Sequence, residues 1–170
     1  MRTHRLTTLV GTSAALAGAG AAIALAASPA KITPSGVDGV KLGSTFTSLR
    51  QQGLVGKIKH GCELGGPNTR GARLSAPLKG SVNLTQSHPR RVTDITVEGG
   101  AKARGVGIGA TISKIKAAFP KAQVDHSTDS TFALTMVRIP KGGGGKLTFG
   151  VSTKSHKTTL IGIPFIAVCD

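Results

Sequence analysis

Gly39-Val40-Lys41-Leu42-Gly43-Ser44-Thr45-Phe46 returns 66 positions later as Gly105-Val106-Gly107-Ile108-Gly109-Ala110-Thr111-Ile112. Each copy sets a turn-forming glycine, an aliphatic residue and a Ser/Thr cap directly ahead of a short amphipathic segment, so each reads as the entrance to a helix. After the first copy, residues 45–52 predict a helix of about two turns with Phe46 and Leu49 on one face, ended by Gly53. After the second, Ile112, Ile115 and Phe119 fall on one stripe and Pro120 stops the helix.

Outward from these helices the chain reads as strands. Residues 72–78, 81–85 and 91–97 are strand-like, with turn signals at Lys79-Gly80 and Ser87-His88-Pro89. In the second half, residues 131–139 and 146–152 flank a glycine-rich turn at 141–145, and residues 158–163 close the unit. Ile161 and Ile163 match Ile95 and Val97 at the same offset, which extends the internal repeat to its far end. Residues 54–70 resist assignment: Lys57-Ile58-Lys59 suits a strand edge, and the following glycines mark an irregular loop. The expected fold is therefore α+β, with two tandem units of short helix plus three-stranded antiparallel meander and the helices on one face of the sheet. Residues 36–100 form the first repeat and 101–170 the second, sharing one domain.

The first 26 residues read as an export signal. Arg2 and Arg5 supply the positive start, residues 6–27 contain no charge, and Ala24-Leu25-Ala26 offers a small-x-small cleavage pattern. The apolar stretch is long enough to span a bilayer if it is retained, but its Gly, Ser and Thr content favours removal. Residues 27–35, with two prolines, form a linker. Cys62 and Cys169 are the only cysteines, and an even count in an exported chain reads as a disulfide. Closing a loop of about a hundred residues, it would contribute about 4 kcal/mol in the chain-entropy description; the alternative is two separate thiols, one of them reactive.

The 22 Lys and Arg outnumber the 7 Asp and Glu, for a formal charge of +15. Without Arg2 and Arg5 the balance is 20 against 7, or +13. Such an excess attracts anionic surfaces and also keeps a protein soluble. Lys57 and Lys59, Arg90 and Arg91, Lys102 and Arg104, and Lys114 and Lys116 recur as pairs through both halves. Merged into one face, they would be polyanion contacts of the salt-sensitive, non-specific kind. Specific single-stranded recognition also needs aromatic platforms, and five Phe with no Tyr or Trp supply few.

Leu42-Gly43-Ser44-Thr45 and Ile108-Gly109-Ala110-Thr111, each followed by a short helix and a meander on an exported chain with cysteines, resemble a known repeat. It is that of the secreted β-lactamase inhibitor proteins, and it is also similar to the single-unit fold of the small lipoprotein of the outer-membrane barrel-assembly machinery. Secreted proteins of unknown function from high-GC Gram-positive bacteria fit the pattern equally. The likeness covers residues 36–170 and implies a non-catalytic protein that presents its sheet to a partner. The chain departs from the inhibitors in lacking Tyr and Trp, and from the lipoprotein in lacking a cysteine behind its signal.

Motifs that suggest chemistry are incomplete. Gly105-Val106-Gly107-Ile108-Gly109-Ala110, with Asp125 downstream, parses as a dinucleotide fingerprint, but a strand does not lead directly into it and the helix stops at Pro120. The run 142–145 ahead of Lys146 lacks the first glycine and the Ser/Thr of a phosphate loop. Asp125-His126-Ser127 places three catalytic residue types side by side, where consecutive side chains of extended backbone diverge. His60, His88, His126 and His156 lack metal-ligand spacing, and Asn83-Leu84-Thr85 fits a glycosylation acceptor inside an expected strand. The expectation is a secreted or wall-associated, non-enzymatic binding module without cofactor or metal, whose partner is a protein. The alternative is a basic protein that binds an anionic envelope polymer, and a third is a small hydrolase built on His126. Neither specific nucleic acid nor membrane is an expected partner once the signal is removed.

Overall fold

The glycine phrase builds a hairpin before it builds a helix. The computed structural model describes residues 28–61, 67–140 and 146–168. Its first half runs β1 (Ala30–Thr33), β2 (Gly36–Val37), β3 (Val40–Lys41), α1 (Phe46–Gln51), β4 (Val55–His60), β5 (Arg70–Leu74), β6 (Lys79–Leu84) and β7 (Val92–Gly99). The second runs β8 (Ala101–Ala103), β9 (Val106–Gly107), α2 (Ile112–Ala118), β10 (Gln123–Asp125), α3 (Asp129–Phe132), β11 (Leu134–Ile139), β12 (Leu147–Ser152) and β13 (Thr158–Ile163). Asp38 and Gly39 have φ of 43° and 87°, and Arg104 and Gly105 have 46° and 78°. Two consecutive positive φ values define the tight primed turn of a two-residue hairpin. Val37 accordingly pairs with Val40, and Ala103 with Val106.

Each hairpin is then anchored to the last strand of its own half. Gly43 N–H donates to Val92 O and Gly109 N–H to Thr158 O, both at 2.8 Å. Gly43 and Gly109 hold φ of 79° and 84°, and this turn delivers Thr45 and Thr111 to the N-cap positions of α1 and α2. Their hydroxyls accept from Ser48 N–H at 3.4 Å and Lys114 N–H at 3.3 Å. Each satisfies one of the donors that a helix start leaves unpaired.

The strands form two sheets. One has five strands in the order β3-β2-β1-β8-β9, with β1 and β8 parallel and the other pairs antiparallel. The other has eight antiparallel strands in the order β10-β11-β12-β13-β7-β6-β5-β4. At its centre β7 meets β13, with Ile95 opposite Ile163 and Val97 opposite Ile161, all four fully buried. One contiguous core joins the inner face of the large sheet to Ile32, Val37 and Val40 of the small sheet and to Leu49 and Ile115 of the helices. Phe119 and Phe149 meet within it, ring centroids 5.7 Å apart.

This corrects the expected α+β class. Strand makes up 47% of the structure and helix 13%, so the protein is mostly β and not two units of helix plus three-stranded meander. Each half contributes four strands to the large sheet, and the glycine phrases add a second sheet that the helical reading had no place for. Strand β10 was not expected, and β4 was expected only as an edge at Lys57-Ile58-Lys59, for a physical reason. They are the two edges of the large sheet, β4 fully buries only Val55, and β10 fully buries nothing, so neither shows alternating hydrophobicity. Residues 131–132, expected to begin a strand, end the short helix α3 instead.

Candidate functional site

The outer face of the large sheet carries the polar members of its alternating strands. Asn83 lies opposite both Gly71 and Asp94, and Ser81 opposite both Arg73 and Thr96. Lys59, Gly71, Arg73, Ser81, Asn83, Thr96 and Glu98 floor a groove of about 880 Å³ that reaches from β4 to α3 and the start of β11. Its walls include Phe132 and Leu134 at one end and Ala167 and Val168 of the C-terminal segment. The groove spans segments remote in sequence because antiparallel pairing gathers one side chain in two from each strand onto this face.

Over β12 and β13 the same face is covered. A Cβ on Gly162 would lie 2.2 Å from Phe165 O, and one on Gly150 would lie 2.9 Å from Ile166 Cδ1. The C-terminal segment therefore rests directly on two glycines, Thr148 Oγ1 donates to Pro164 O at 3.2 Å, and Ile166 is buried. That cover explains why Thr148 and Met136 are buried although they face away from the core.

Asp94 is the most deeply buried acid of this face, 4% exposed. Asn83 Nδ2 and Thr93 Oγ1 each donate to its carboxylate at 2.9 Å. Burial pushes its pKa above the usual aspartate value, and those two hydrogen bonds oppose the shift. Asn83, read as a glycosylation acceptor, has its amide engaged in this pair. Arg73 and Glu98 form an exposed ion pair at 3.3 Å, a contact that contributes little in water.

Within residues 125–127 the serine and the aspartate bond each other, and the histidine turns to a different acid. His126 Nδ1 meets Asp129 Oδ2 at 2.8 Å, while Ser127 N–H donates to Asp125 Oδ1 at 2.9 Å, and Asp125 also meets Arg138 at 2.7 Å. The bonds from Ser127 hold the Asp125 carboxyl below its usual pKa, and His126 does the same for Asp129. The residue that engages His126 is Asp129, three positions on, a partner the sequence reading missed. The N-cap Thr128 and the acidic first turn of α3 could have indicated it. The dinucleotide-like glycines lie in a hairpin: Gly105 is in its turn, and a Cβ on Gly107 would lie 3.0 Å from Ala101 O. The glycine run 142–145 lies outside the described residues, as do Cys62, Cys169 and the whole export signal. Among the described residues, no group of three or more His, Cys, Asp or Glu is placed to hold a metal, and no helix is long and apolar enough to cross a membrane.

The eight expected polyanion contacts occupy four places. Lys57 and Lys59 are exposed on the edge strand β4, and Lys59 also lines the groove. Arg90 and Arg91 lie at the start of β7, where Arg91 Nη1 donates to Gly43 O at 2.9 Å. Lys102 is on β8 of the small sheet and Arg104 in its hairpin turn. Lys114 and Lys116 are on α2. Comparison with family models, curated proteins and solved structures finds no match.

Proposed function

We propose that the protein is an exported, non-catalytic binding module that presents the open half of its eight-stranded sheet to a protein partner outside the cell or at the wall. The observation that supports this is the 880 Å³ groove across β4 to β7 and beyond, floored by Lys59, Arg73, Ser81, Asn83, Thr96 and Glu98. Charges of both signs and short hydroxyls on a rigid sheet suit a polar partner surface, and the sheet supplies them pre-organised. The disulfide between Cys62 and Cys169 belongs to the same reading. Their described neighbours Gly61 and Val168 both line this groove, so a link there would tie the C-terminal segment to its rim.

The test is capture from culture supernatant and cell-wall extract with the exported, oxidised protein as bait. Ser81 lies on the groove floor between Arg73 and Thr96. Ser81→Trp fills that floor and is expected to weaken capture at least tenfold, which is about 1.4 kcal/mol, with an unchanged circular dichroism spectrum. Capture that survives Ser81→Trp in a folded protein removes the groove from the account.

One observation favours the second reading, a basic protein for anionic envelope polymer: Lys57 and Lys59 extend exposed from β4, the edge strand among the described residues. Lysines on an edge also discourage strand-to-strand aggregation. Heparin retention that falls on Lys57→Ala with Lys59→Ala separates the two roles. Arg91 is unsuited to that test because its guanidinium also supports the Gly43 turn.

A further inference from the structure

On the side of the molecule where the small sheet meets α2, a second cavity of about 730 Å³ opens between the ends of β1, β8, β11 and β12. Its floor is apolar, built from Ile32, Phe119 and Leu147, with the half-buried Ile139 beside them. Among the described residues, every ionisable side chain that lines it is cationic: Lys31, Arg104 and Lys121, all exposed. The Arg104 guanidinium stands 5.1 Å from the centroid of the Phe119 ring, so one wall carries positive charge and apolar surface together. Arg104 reaches this place because it holds the positive-φ position of the β8–β9 turn, φ 46°.

We propose that this cavity binds the free monomer of a single-chain carboxylate amphiphile, a long-chain fatty acid. The alkyl chain lies on Ile32, Phe119, Ile139 and Leu147, and the carboxylate is met by Lys31, Arg104 and Lys121. The volume falls in the range that small-molecule sites occupy, and an apolar pocket with a few convergent polar groups is their usual form. Charge complementarity selects the head group. A neutral chain gains the floor alone, whereas an anion also gains three cations, with no acid among the described lining residues.

The probe is 11-(dansylamino)undecanoic acid, titrated below its micellar concentration into the exported, oxidised protein. Saturable fluorescence enhancement is expected, displaced by dodecanoate at least tenfold more effectively than by dodecanol. Between decanoate and dodecanoate the affinity should rise about fourfold per methylene. Lys31→Glu with Lys121→Glu should weaken the probe at least tenfold. Lys154→Glu with Lys157→Glu makes the same change of net charge on the β12–β13 turn and should leave binding as it was. Equal displacement by dodecanol, equal loss in both charge-reversal variants, or no saturable enhancement overturns the proposal. Sedimentation with phosphatidylglycerol vesicles that dodecanoate does not relieve overturns it too, in favour of a membrane-surface role. Should the Lys31/Lys121 variant fail to fold, the comparison of dodecanoate with dodecanol on the unaltered protein still decides.

Discussion

The two halves of the large sheet's outer face are built alike and end differently. Over β12 and β13 the C-terminal segment lies on Gly150 and Gly162 and buries Thr148, whereas over β5 to β7 Arg73, Ser81 and Glu98 line an open groove. At the centre of the sheet Gly162 is paired with Thr96 of the open half. The side chain of Thr96 and its absence at Gly162 decide which half accepts backbone and which stays open to a partner. At the β7–β13 pairing, cover and groove are thus two outcomes of one alternating pattern.

The comparison is sharpest between consecutive residues of β13. Ile161 points into the core opposite Val97, and Gly162 points out beneath Phe165. Ile161→Ala leaves a cavity at a fully buried position and should cost about 2 to 5 kcal/mol, read as a lower urea midpoint with an unchanged slope. Gly162→Ala should cost less, about 1 to 3 kcal/mol, because the displaced Phe165 carbonyl belongs to a terminal segment that can lift. Its second effect is specific: proteolysis of residues 164–168 should accelerate in Gly162→Ala and not in Ile161→Ala at equal fraction folded. If both variants leave that segment equally protected, the cover does not depend on the glycine.

Much of the inner face was legible, and little of the outer one. Leu147, Phe149 and Val151 alternate in β12, and Val82 and Leu84 in β6, so burial on one side left a period of two in the sequence. The caps Thr45 and Thr111 were legible because capping chemistry is local. By contrast, Lys57, Gly71, Ser81 and Asn83 carry no apolar signal, so reading strands near 57–59 and at 81–85 did not show that these four residues share one face. Two-residue strands such as Val40–Lys41 are shorter than any period, so the hairpins could be read only from Asp38-Gly39 and Arg104-Gly105. The groove and the cationic cavity depend on pairings between segments far apart in the chain, β7 with β13 and β1 with β8, which no local pattern records.

The smallest expected effect separates the acids at the middle of the outer face from those at its edge. Asp94 is raised from 3.8 by burial, so the folded protein holds a proton that the unfolded chain has released in the window above 3.8. Unfolding there sheds a proton, and the Asp94 contribution therefore makes stability fall as pH rises through that window and stay lower above it. Asp125 and Asp129 act oppositely. Their values are lowered, by Ser127 and His126 first, so the stability they add is present above 3.8 and is lost as pH falls below it. Asp94→Asn keeps Oδ1 as acceptor for Asn83, puts an NH2 where the rotating Thr93 hydroxyl can accept instead of donate, and removes the titration. Stability at neutral pH should hold or rise slightly, and its decline between acid and neutral pH should flatten relative to the parent. A steeper decline in Asp94→Asn would mean that the carboxylate is stabilised in place by its two donors, and that the middle of this face tolerates charge as well as its edge does.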